Sequence, residues 1–150
     1  MRLGIVQLSD IHIDNDRHPI LHRAELISAA VMSCGLNFDG LILALCGDIA
    51  FGGTKEQYDL ARGWLEALRA RIASACDNIE ISVAVVPGNH DCDLRRPSDV
   101  REFDLIEPRL TKMDPSGDLA RHWLEVQDEY FAFASQLDGN YCVSADRAPV

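Results

Sequence analysis

Three apolar runs in this chain are each followed at once by a short cluster of polar side chains. The runs Leu3–Leu8, Leu41–Cys46 and Ile81–Val86 have the length and aliphatic content of buried strands. Helical patterns separate them, so the strand–helix–strand–helix–strand order predicts an α/β fold with a parallel sheet and right-handed crossovers. Because ligands bind beyond the carboxyl ends of such strands, we expect the three polar clusters to converge in space.

The polar clusters contain the side-chain types that bind divalent metal ions. They supply carboxylates, imidazoles and an amide, which suit Mn, Fe, Zn or Mg. Asp10 and His12 lie two residues apart, so in an extended segment their side chains would point the same way. The clusters are Asp10-Ile11-His12 after the first run, Gly47-Asp48 after the second, and Gly88-Asn89-His90-Asp91 after the third.

In this order and spacing, the D-x-H, G-D and G-N-H-D clusters resemble the N-terminal signature of the calcineurin-like metallophosphoesterases. The resemblance covers about residues 1–93. It implies a sheet that forms the N-terminal half of a metallophosphoesterase-type αββα sandwich, followed here by a helical segment. It also implies a phosphoester substrate and a binuclear centre of two divalent metal ions.

A binuclear centre assigns roles to six residues. Two ions about 3.5–4 Å apart need a shared carboxylate, and Asp48 is the candidate for that bridge. Asp10 and His12 would hold the first ion, and Asn89 would offer its amide oxygen to the second. The resemblance implies that His90 faces the substrate and that Asp91 orients the ring of His90.

Each of these residues has a simpler explanation. Asp48 can cap a turn, and Asp10 with His12 can form a solvated loop. Asn89 can serve as a turn residue in the left-handed region, and Asp91 can be a loop carboxylate. The three clusters occurring together favour the metal site.

The sequence departs from the family signature in its second half. The last histidine is His122, and no G-H-x-H cluster follows. With the length of 150 residues, this favours an incomplete metallophosphoesterase domain, and a further domain beyond Val150 is compatible with it. Residues 139–150 contain a turn and then Tyr141–Ser144, which is typical of the start of a further strand or of a tail.

Helical patterns fill the remaining chain. Spacings of three and four residues predict a first helix from Ile20 to near Gly35, with one stripe through Ala24, Ile27, Val31 and Cys34. A second helix follows Thr54, where Gln57 completes a capping box. Residues 94–138 are interpreted as a helical insertion or a cap over the site. They are predicted to contain a short helix from Ser98 to Ile106, then a helix whose stripe holds Leu119, Trp123, Val126, Tyr130, Phe133 and Leu137.

Charge and composition exclude some partners. A net charge of −10 argues against nonspecific nucleic-acid binding and against a membrane surface. No apolar run has the length of a membrane span, and the N-terminus lacks a signal peptide pattern, so we expect a cytoplasmic protein. Five cysteines at irregular spacing are expected to be reduced.

Three functions remain open from these residues. The first is a metal-dependent phosphohydrolase, either a phosphatase or a phosphodiesterase. The alternative is a catalytically incomplete regulatory module that binds metal or nucleotide. A structural role, with the clusters as loop remnants, is favoured least because all three clusters retain ligand-type residues.

Overall fold

The computed structural model describes residues 2–34, 39–76, 79–95 and 124–137. Within them, strands and helices alternate as predicted up to the third strand, and a helical segment follows. We number three strands and three helices in chain order. They are β1 (Leu3–Leu8), α1 (Ala24–Ser33), β2 (Gly40–Cys46), α2 (Lys55–Ala75), β3 (Glu80–Val86) and α3 (Asp128–Gln136).

The three strands form one parallel sheet in the order β1-β2-β3. Val6 pairs with Leu43, and Leu43 pairs with Val83, so the central row is built from aliphatic side chains of all three strands. All three strands end on the same side of the sheet. The α/β fold with a parallel sheet is therefore confirmed, with strand bounds within one residue of those predicted.

One face of the sheet is packed against helices. Leu41, Leu43 and Leu45 of β2 are buried, and they belong to the same core as the inward side chains of α2. The opposite face is open among the described residues, where Ile5 of β1 is 66% exposed. Parallel sheets are normally covered on both faces. The described chain therefore corresponds to one sheet and its helical layer.

The first helix begins later than predicted. Pro19–His22 form a 3-10 turn, and α1 starts only at Ala24. Arg23 lies between them with a φ of −108°, outside the helical range, so the two segments do not form one helix. The prediction that this helix begins at Ile20 is therefore wrong. At the other end, Cys34 is exposed, so it does not belong to a buried stripe.

The second helix begins as predicted. Thr54 is its N-cap, and the capping box with Gln57 is present. Gln57 Oε1 also accepts a hydrogen bond from the Gly52 backbone N–H at 2.9 Å, which joins the helix start to the loop before it. Six side chains of α2 are buried: Tyr58, Ala61, Trp64, Leu65, Leu68 and Ile72.

The C-terminal described segment packs on α2. Phe133 of α3 stacks against Tyr58 with ring centroids 5.2 Å apart, and Tyr130 meets the same ring edge-on at 6.3 Å. Arg62 of α2 donates to Gln136 Oε1 at 3.0 Å. Of the predicted stripe, Val126, Tyr130, Phe133 and Leu137 are buried in this packing.

Other predictions fall outside the described residues. They are the helix from Ser98 to Ile106, the positions Leu119 and Trp123, and the strand start at Tyr141–Ser144. In the parts of the chain that the structure describes, no helix combines the length and apolarity needed to cross a membrane.

Candidate metal centre

The loops after β1 and β2 run side by side. The Asp10 N–H donates to the Gly47 carbonyl at 3.2 Å, and the His12 N–H donates to the Asp48 carbonyl at 2.9 Å. Ile13 continues this ladder by donating to the Ile49 carbonyl at 3.0 Å. The sheet pairing is thus extended past the strand ends by backbone bonds, which fix the first two clusters against each other.

The residues expected to bind metal have an unusual backbone conformation. Asp10, His12 and Asp48 have φ values of 52°, 55° and 53°, all in the left-handed region. Few residues other than glycine adopt it, although Asp and His do so more often than most. The expectation that Asp10 and His12 lie in an extended segment is therefore wrong. Their backbone is in the left-handed region, where their N–H groups bond to the carbonyls of the second loop.

The third cluster lies directly against the second. The His90 backbone N–H donates to Asp48 Oδ1 at 2.9 Å. Gly88 makes this approach possible, since a Cβ there would overlap Asp48 Oδ1 and lie 2.5 Å from the Asp48 backbone nitrogen. Gly47, with a φ of 87°, approaches Gly88 from the second loop, and a Cβ added to Gly47 would lie 3.1 Å from the Gly88 Cα.

Three ligand-type side chains converge at this edge of the sheet. One ligand atom each from His12, Asp48 and His90 lie within 4.8 Å of one another. His12 Nε2 is 3.9 Å from Asp48 Oδ2, which is too long for a hydrogen bond. Two ligands of one ion are separated by at most about 4.2 Å when each bond is about 2.1 Å long. This pair therefore fits a shared ion with little movement.

The ring of His12 has one nitrogen without a protein partner. His12 Nδ1 is buried and has no hydrogen-bond partner among the described residues. Buried polar atoms are nearly always paired, so a water or an ion is the expected partner of Nδ1. The nitrogen near Asp48 is the other one, Nε2, so Nδ1 adds no ligand to that pair. The donor set of imidazole nitrogen and carboxylate oxygen suits a borderline or hard divalent cation.

The other two predicted ligands lie at the rim. Asp10 is exposed and is not part of the cluster of three, although its backbone is fixed to Gly47. Asn89 is also exposed, between Gly88 and His90. The structure thus brings together three of the six predicted site residues and leaves these two facing solvent beside them.

Asp91 lies behind the site and is fully buried, with 0% of its surface exposed. Its Oδ2 accepts from the backbone N–H groups of Gly88 at 2.9 Å and Ile49 at 3.2 Å. Its Oδ1 accepts from the Ala50 N–H and from the Tyr58 hydroxyl, both at 2.9 Å. Both oxygens are used in tying the second and third loops to α2.

The ring of His90 is held by a different group. His90 Nδ1 lies 2.9 Å from the Phe51 carbonyl oxygen, which can only accept, so the hydrogen is on Nδ1. The other nitrogen, Nε2, is then the one free to meet the site. The prediction that Asp91 orients this ring is therefore wrong, since both Asp91 oxygens bond elsewhere and Phe51 supplies the contact.

Sequence reasoning missed two residues of this environment. Phe51 follows the second cluster by three positions, and its ring lies 5.4 Å from that of His90. Tyr58 is a buried residue of α2. Burial and then the negative charge of Asp91 raise the pKa of the Tyr58 hydroxyl far above its ordinary value, so it remains a donor to that carboxylate. Its position one turn into α2, facing the site, was the available signal.

Cys92 is not suited to act as a nucleophile. Burial is the main reason that the pKa of its thiol is raised; the nearby charges of Asp91 and Asp48 add to this, and a hydrogen bond from Gln127 partly opposes it. A raised pKa keeps the thiol protonated at neutral pH. Cys92 is therefore assigned to packing and not to chemistry.

A parallel α/β sheet with imidazole and carboxylate groups gathered at its carboxyl edge is typical of metallohydrolases. Comparison with family models gives a match to the calcineurin-like phosphoesterases over residues 3–145. The chain belongs to this family of metal-dependent phosphoester hydrolases. A search among curated proteins gives no significant match.

Proposed function

We propose that this chain hydrolyses a phosphomonoester or phosphodiester with two divalent ions held at the carboxyl edge of its sheet. The closeness of His12 and Asp48, with His90 beside them, supports this most directly. Two ions about 3.5–4 Å apart require a ligand that reaches both, and a carboxylate has enough lone pairs for this. We assign the bridging position to Asp48, which stands between the first and third loops.

The remaining ligands are assigned by loop. Asp10 and His12 would hold the first ion, and the Asn89 amide oxygen would bind the second, with water completing each shell. Divalent ions at this site would neutralise the phosphoryl oxygens and acidify an attacking water. Manganese is our first choice for the test, and a cytoplasmic location stays a prediction from the sequence.

His90 is assigned to the substrate and not to an ion. Because Nδ1 is engaged by the Phe51 carbonyl, Nε2 is left to face a bound phosphoester. When protonated, His90 would donate from Nε2 to a phosphoryl oxygen or to the leaving oxygen. Asp91 would act only through the backbone of both loops, by keeping Asp48 and His90 in place.

Turnover of nitrophenyl phosphoesters tests the proposal. The full chain would be assayed with a monoester and a diester, with and without Mn²⁺, beside Asp48→Asn and Asp16→Asn. Asp16 is an exposed carboxylate of the first loop outside the cluster, so it controls for loss of charge. We expect manganese-dependent hydrolysis that Asp48→Asn abolishes and Asp16→Asn leaves unchanged. Equal activity in all three proteins would contradict the assignment.

A second variant separates ligand from substrate contact. If His90 faces the substrate, His90→Ala should lower kcat strongly while manganese affinity, followed by electron paramagnetic resonance, stays near that of the wild type. A parallel loss of manganese affinity would instead make His90 a metal ligand. The binding module without turnover has no specific observation in its favour.

A further inference from the structure

The ring of Phe51 lies exposed at the mouth of the candidate site. Its side chain is 55% exposed, although its centroid is only 5.4 Å from the His90 ring and 6.2 Å from the His12 ring. Among the described residues, none of the other large apolar side chains that are exposed is aromatic. A single exposed apolar residue is ordinary on a surface. The exposure of the Phe51 ring beside the imidazoles of two site residues, however, needs an explanation.

The backbone of Phe51 is held in place on both sides of the ring. Its N–H donates to the Ile13 carbonyl at 3.0 Å, and its own carbonyl bonds to His90 Nδ1 at 2.9 Å. The preceding residue, Ala50, is held by Asp91. With both backbone polar groups of Phe51 anchored, the point from which its ring extends is fixed at the mouth of the site. The fold therefore holds an aromatic surface next to the reacting position.

We propose that Phe51 is a specificity-determining residue whose ring stacks on a planar aromatic group of the phosphoester. The preferred substrates are then esters in which an aryl ring or a nucleobase lies close to the phosphoryl group. This rests on the proposed function, because it takes His90 as the substrate-facing residue beside Phe51. Offset stacking on an exposed ring face adds affinity that an aliphatic group of equal size lacks.

Matched ligands isolate the aromatic contribution. Phenylphosphonate and cyclohexylphosphonate have the same anionic head and rings of similar size, and neither is hydrolysed as an ester. Their affinity for the full chain with Mn²⁺ would be measured by calorimetry for wild type, Phe51→Leu and Phe51→Tyr. Leu26→Ala, at an exposed position on α1, is the control for loss of apolar surface. A nucleoside phosphonate and the same sugar phosphonate without its base separate nucleobase from aryl recognition.

Stacking predicts a selective loss. Phe51→Leu should weaken phenylphosphonate about two- to tenfold, from the strength of aromatic pairs, and change cyclohexylphosphonate less than twofold. Phe51→Tyr and Leu26→Ala should leave both affinities near those of the wild type. The backbone carbonyl that holds His90 is present in every variant, so its contribution is constant.

The result that would overturn the stacking role differs from the result that would overturn the proposed function. Equal losses for both phosphonates in Phe51→Leu, or none, would overturn the stacking role while leaving the phosphoesterase proposal intact. Failure of wild type to bind either phosphonate in the presence of Mn²⁺ would overturn the proposed function and this inference with it.

Discussion

The Asp91 carboxylate gives the sharpest prediction, because its removal should destabilise the fold from a position behind the reacting groups. Its two oxygens accept four hydrogen bonds, three from backbone N–H groups and one from the Tyr58 hydroxyl. In Asp91→Asn, the amide oxygen can retain the Gly88 and Ile49 donors while the NH₂ group faces the other pair. The Tyr58 hydroxyl can then turn to accept from the NH₂ group, which leaves the Ala50 N–H without an acceptor.

The expected cost follows from the backbone donor left without an acceptor. A buried unpaired donor costs about 1–3 kcal/mol, so Asp91→Asn should lower the free energy of unfolding by about 1–3 kcal/mol. Tyr58→Phe removes only one of the four bonds and leaves the Ala50 N–H on the same oxygen, so about 1–3 kcal/mol is expected. Since a domain is stable by about 5–15 kcal/mol, both variants should remain folded in the absence of urea.

Urea unfolding monitored by circular dichroism would measure both losses, with the slope of the transition as a check on two-state behaviour. Asp16→Asn, an exposed carboxylate on the first loop, should unfold as the wild type does. An Asp91→Asn protein as stable as the wild type would refute the reasoning, because the orphaned Ala50 N–H alone should cost about 1–3 kcal/mol.

Three further variants test neighbouring contacts. Gly88→Ala should abolish manganese-dependent hydrolysis while retaining the helical circular dichroism signal, because its Cβ would overlap the Asp48 carboxylate; full activity would refute this. The folded-state pKa of the Tyr58 hydroxyl is raised, so above pH 10 the wild type should lose about 1.4 kcal/mol of unfolding free energy per pH unit relative to Tyr58→Phe. Urea titrations at several pH values would measure this loss, and the same pH dependence in both proteins would contradict it. Phe133→Ala should cost about 3–5 kcal/mol in the same assay, since this buried ring stacks on Tyr58; a shift below 1 kcal/mol would count against this packing.

The strands and the convergence of the clusters were predictable because both follow from short-range patterns. Apolar runs of six or seven residues between helical stripes define β1, β2 and β3, and parallel topology then brings their ends together. The capping box at Thr54 and Gln57 is likewise a local signal. These features need no knowledge of the rest of the chain.

The contacts that sequence reasoning missed or misassigned depend on residues far apart in the chain. Asp91 meets the Ile49 and Ala50 N–H groups, which lie 42 and 41 positions earlier. The Phe51 carbonyl reaches His90 across 39 positions. A motif read along the chain suggested that neighbours act on each other, as Asp91 on His90, whereas the fold pairs each with a residue of another loop.

The left-handed conformations of Asp10, His12 and Asp48 show why these loops must form together. Each costs about 1–2 kcal/mol for an ordinary residue, so the three would not persist in an isolated loop. Bonds from the first loop to the Gly47 and Asp48 carbonyls hold them, and Asp91 anchors the second loop in turn. Strain of this kind persists only where the surroundings over-determine it, and it is concentrated at functional sites. The ligand geometry is therefore a property of three loops at once, and loosening Asp91 should weaken metal binding without touching a ligand.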